Sequence, residues 1–85
     1  MTDDADSILQ RLRDIARVLS RATADEAAAD AFFGYAEDCR RWGLARDAQD
    51  AVVSARELRV AALLARGEAA GLRAGLVDPD GSLDL

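Results

Sequence analysis

The stretch from Asp47 to Val77 carries apolar residues at alternating steps of three and four: Ala51, Ala55, Leu58, Ala62, Ala65, Ala69, Leu72 and Leu76. At about 100° per residue, such a run stays inside one narrow stripe of a single helix. A second apolar patch falls roughly opposite. It comprises Val52, Val53, Val60, Leu63 and Leu64 and is continued by Gly67, Gly71 and Gly75. A helix with two apolar faces needs two surfaces to pack against, and a short chain can hardly supply both.

Upstream, Ala5, Ile8, Leu9, Leu12, Ile15, Ala16, Leu19 and Ala22 share one helical face, with Arg11, Asp14, Arg17 and Arg21 on the other. The pattern predicts a first amphipathic helix from about residue 4 to 21. Thr23-Ala24-Asp25-Glu26 then reads as a capping box, Thr23 accepting the Glu26 amide and Glu26 reaching back. It predicts a second helix with the stripe Ala28, Phe32, Tyr35, Cys39 and Trp42. Arg40 and Arg41 suit its negative end. Gly43 suits a left-handed residue just beyond it, with Leu44 folded back over Cys39. The third helix has Asp47 as its best cap, and interior Gly67 is where it could kink. Asp78-Pro79 disfavours further helix and Asp80-Gly81 reads as a turn.

These signals predict an all-α three-helix bundle, a helical hairpin packed on a longer third helix, with Gly67 as the candidate kink. Residues 1–77 would form one domain and 78–85 a short acidic tail. Composition sharpens the picture. Nineteen of the 85 residues are alanine and four are aromatic. At about 25 cal/mol per Å² of apolar area, alanines make a thin core. A chain of this size is marginal alone, and self-association would relieve the deficit.

The net charge of −5 disfavours a dedicated nucleic-acid binder. Acidic and basic segments alternate along the chain, as antiparallel helices with facing opposite charges would require. All eleven basic residues are arginine, and Lys, His and Asn are absent. With the alanine load, this suggests a GC-rich bacterial or phage gene. The single Cys39 cannot form an internal disulfide. No window reaches the ~20 apolar residues of a membrane span, and the acidic start is unlike a secretory signal. A cytoplasmic location is the expectation.

Catalytic chemistry finds little support. Without histidine the usual general base near neutral pH is missing. Cys39 lies in an apolar stripe with no evident activating base, which suits a core thiol. No residue set points to a cofactor or a metal. Asp78-Pro79-Asp80-Gly81-Ser82 lacks the spacing and the distal carboxylate of a calcium loop. Arg56, Arg59, Arg66 and Arg73 run along one border of the third helix, where they would meet neighbouring acids or grip a phosphate. Helix-turn-helix DNA binding at Trp42–Asp47 would set Asp47 and Asp50 against phosphates.

Across residues 29–60, Phe32, Tyr35, Ala36 and Cys39, then Gly43, then Ala48, Val52 and Ala55 resemble one tetratricopeptide-type helical hairpin. No second copy follows. The resemblance implies protein or peptide binding. Trp42-Gly43 is also similar to the turn of small secreted helical-hairpin proteins with a Trp-any-Gly motif, but the intervening residue is missing. So is the acidic-and-Tyr export signal that family carries near its C-terminus.

The chain therefore reads as a small interaction module, an adaptor, chaperone or regulatory subunit, that binds a protein partner and forms a homodimer. The residues expected to carry this are Phe33, Val53, Val60, Leu64, Gly67, Gly71 and Gly75. The alternatives are a nucleic-acid or phosphate binder using the arginine border and a small secreted helical-hairpin protein.

Overall fold

The computed structural model describes residues 2–76. They form two long helices, α1 (Thr2–Arg41) and α2 (Ala45–Ala74), joined by a tight turn into an antiparallel hairpin. The structure is thus all-α, but it is a two-helix hairpin and not a three-helix bundle. The first and second helices expected from the sequence are one continuous helix of 40 residues. The residues from 78 on, with their expected turn and tail, lie outside the described part.

The junction near Thr23 shows why the helix does not break. The Thr23 hydroxyl donates to the Leu19 carbonyl at 3.0 Å, bonding back into the preceding turn instead of capping a new one. Glu26, the other half of the expected box, turns to α2 and binds Arg66. No Gly or Pro interrupts the segment from Leu19 to Glu26. Buried Ile15, Ala22, Ala29 and Ala36 recur every seventh residue straight through it. A seven-residue repeat holds one face of a helix toward one neighbour. The two amphipathic segments therefore share a face, and folding one onto the other would remove Ala22 from its packing against Ala62 and Ala65.

Helix α2 repeats the device. Ala48, Ala55, Ala62 and Ala69 are buried at one heptad position, and Ala51 and Ala65 at the other. Ala36 and Cys39 pack with Ala48 and Ala51 near the turn, and Ala22 packs with Ala62 and Ala65 farther along. Of the eleven buried apolar residues among those described, nine are alanine. Side chains this small let two helix backbones approach closely along their whole shared length.

The turn closes as the sequence predicts. Gly43 adopts φ +76°, which a Cβ would disfavour. The Leu44 amide donates to Cys39 O at 2.8 Å and the Gly43 amide to Arg40 O at 3.2 Å, the two bonds of a Schellman motif. Helix α2 begins at Ala45 with no side-chain cap; Asp47 lies in its first turn and complements the dipole there. It runs through Gly67 as one helix to Ala74, so Gly67 does not divide it. Gly67 points away from α1, and the buried alanines on either side, Ala65 and Ala69, keep the helix seated.

The hairpin is long and one layer deep, 63 × 24 × 14 Å. Its radius of gyration is 18.8 Å, against about 12 Å for a compact domain of this length. With no third layer, apolar residues off the seam face outward. Continuing the antiparallel register, the first three turns of α1 find no residue of α2 opposite them. Ile8, Leu9 and Leu12, expected in the core, are exposed for that reason.

Candidate interaction surface

Relative to the alanine seam, the residues of α2 sort cleanly. Positions 53, 60, 67 and 74 fall directly opposite it, flanked by 56, 63 and 70 on one side and 57, 64 and 71 on the other. The outer face is therefore Val53, Val60, Leu63 and Leu64, then Gly67, Gly71 and Ala74, with Arg56 and Glu57 beside Val53 and Val60. Leu63 and Leu64 are 69% and 70% exposed, and Val53 and Val60 about half so. Val53, Arg56, Glu57 and Val60 line an open groove of about 350 Å³. The second apolar face read from the sequence exists, and the hairpin leaves it bare. Val52 is the exception: it is half-buried against the alanine cluster near the turn.

The glycine row divides. A Cβ on Gly67 or Gly71 would meet nothing within 4 Å, so neither glycine is there to admit a neighbour from its own chain. A Cβ on Gly75 would strike the Arg11 guanidinium. Arg11 lies over the C-terminal end of α2, where a cation suits the negative end of the dipole. Gly75 lies beside this flexible guanidinium, whereas Gly67 and Gly71 have open space on the outer face.

Phe33 is also occupied within the chain. It is half-buried, with the Arg59 guanidinium 4.7 Å from its ring centroid. A cation over an aromatic face is attracted by the ring quadrupole. The residues expected in the second core stripe lie the other way: Phe32, Tyr35 and Trp42 are exposed, Trp42 at 65%. In a seam lined by alanine no hole accepts an aromatic ring, so the rings move to the flanks and Ala29, Ala36 and Cys39 take the inner positions. The tetratricopeptide resemblance rests partly on Phe32 and Tyr35, and here both face outward. Phe32 and Tyr35, with Asp47, Asp50, Ala51 and Ser54, line a second open groove of about 200 Å³ on the flank near the turn.

The arginine border is engaged with α1 at two of its four positions. Arg66 binds Glu26 through both carboxylate oxygens, at 2.8 and 2.6 Å. Its hydrogen bonds hold the Glu26 carboxyl below the ordinary glutamate range and raise the Arg66 guanidinium in turn. Arg59 reaches Asp30 at 3.1 Å while lying over Phe33. Arg56 stands apart on the outer face. The opposite charges expected between antiparallel segments are thus found at Glu26–Arg66 and Asp30–Arg59, where they help set the register.

Cys39 is fully buried in the seam. The Tyr35 phenol is raised above its ordinary value, first by the neighbouring Cys39 side chain one turn along the helix. Among the described residues no three of His, Cys, Asp or Glu gather as a metal site would require. No described helix is long and apolar enough to cross a membrane. Comparison of the chain with protein-family models, curated proteins and solved structures finds no match.

Proposed function

We propose that this chain is a non-catalytic interaction module that docks a partner α-helix along the outer face of α2. The observation that carries the reading is the inverted distribution of side-chain size on that helix. Alanines fill the buried face, while Val53, Val60, Leu63 and Leu64 stand in solvent. An apolar row at helical spacing, one helix wide and about 17 Å long at 1.5 Å per residue, matches the footprint of three turns of a helix. Gly67 and Gly71 extend the row with positions where a second backbone can come close. Exposed apolar rows of this extent mark interaction sites in soluble proteins.

A photo-reactive residue at position 60, compared with one at position 20 on the outer face of α1, tests the assignment in the native host. Crosslinks to defined protein species are expected from position 60 and not from position 20. The same pattern from both, or none from position 60, would overturn the reading.

A further inference from the structure

The outer face of α2 is complementary to itself, and we propose that its occupant is α2 of a second copy, antiparallel across a two-fold axis beside Val60 and Leu64. The inference rests on the reading above and names the partner. In the antiparallel arrangement Val60 of each copy faces Leu64 of the other. Val53 then faces Gly71, and Glu57 faces Gly67. Val53 and Glu57 thus each meet a glycine whose outward side is open in its own chain. This gives the single-copy structure a reason for two helix-interior glycines, each worth about 1 kcal/mol of helix stability relative to Ala.

The parallel alternative would stack Glu57 on Glu57 and leave Gly67 and Gly71 facing each other across voids. Like charges and unfilled space both oppose it. The chain's net charge of −5 does not bar the contact, because it is carried elsewhere. On the outer face of α2, Arg46 and Arg56 balance Asp50 and Glu57. The outer face of α1 is a poorer occupant. It carries Ser20, Ala24, Ala27, Ala31 and Gly34, with no large apolar side chain to bury. Pairing it with α2 would also make a head-to-tail contact that need not close. A contact one helix wide is at the small end of stable interfaces, so dissociation on the order of micromolar is expected.

Cysteine pairing decides the matter. In the full chain carrying Cys39→Ala, which extends the alanine seam, Val60→Cys and Leu64→Cys proteins are mixed and oxidised. Light scattering on the unsubstituted chain at about 100 µM gives its mass. The expected result is a dimer, with the mixed 60–64 disulfide exceeding either self-disulfide several-fold. Dominant self-pairing of Val60→Cys, a strict monomer, or species larger than a dimer would each overturn the proposal. A strict monomer whose position 60 still crosslinks to another protein would overturn only the self-pairing. A dimer that persists unchanged in Val60→Asp and Leu64→Asp would overturn both readings.

Discussion

The two faces of α2 differ in the opposite sense from an ordinary amphipathic helix. The face turned to α1 is Ala48, Ala51, Ala55, Ala62, Ala65 and Ala69, small and buried. The face turned to solvent carries Val53, Val60, Leu63 and Leu64, large and exposed. Burying a leucine or valine is worth about 1.5–3 kcal/mol, and an alanine methyl far less. The hairpin therefore draws its stability from many small contacts made at short range. Several of its large apolar groups are left for a surface that the isolated chain does not cover. A close-packed inner face gives shape and register, and a bulky outer face gives affinity.

Substitutions can break that contrast directly. Ala62→Leu places a branched side chain where the seam is 1% exposed, and overpacking of this kind costs about 1–3 kcal/mol. Val60→Asp, two residues away on the outer face, should change monomer stability by no more than about 0.5 kcal/mol while abolishing association. Urea denaturation of the two variants, with circular dichroism to monitor helix, compares them. A large loss from Val60→Asp in the monomer would mean that the outer face is core.

A smaller effect of opposite sign is expected at the glycines. Gly67→Ala and Gly71→Ala fill open space on a helix and should each raise monomer stability by about 0.5–1 kcal/mol. Thermal melts at low concentration would show the gain, and melts at high concentration should show a weaker dimer. Stabilisation with association intact would remove the close-approach role assigned to these positions.

The smallest effect concerns Glu26, which is half exposed. Its carboxyl is held below the ordinary range by Arg66, so the folded state favours the ionised form. The pair's contribution is complete above the ordinary glutamate pKa and is lost as pH falls through the lowered folded value. Melting the native chain and Glu26→Gln across acid pH should show a small difference that closes toward the acid end. A difference that stays constant with pH would assign Glu26 a packing role instead.

Much of the architecture was legible in residue order, and the failures are instructive. The stripe Ala51–Leu76, the left-handed Gly43 and its Schellman turn follow from local periodicity and from glycine's tolerance of positive φ. The division at Thr23 did not hold, because a capping box is only a local option. Its two side chains found better partners in Leu19 O and in Arg66. The seven-residue recurrence of Ile15, Ala22, Ala29 and Ala36 was the sign that α1 is continuous. It is easily overlooked beside larger neighbours such as Phe32 and Trp42. Phe33 looks like a surface feature in the sequence, but a long-range contact with Arg59 engages it within the chain.

The order of residues by itself determined that this chain is helical, that it turns at Gly43, and that its last helix is apolar on opposite sides. Those properties depend on spacing and on backbone chemistry within a few residues. Only the tertiary structure decided which of the two faces is the seam, and that two helices form a single layer. That choice depends on how closely two backbones can approach: alanine permits the close contact, and Val53, Val60, Leu63 and Leu64 are left outward.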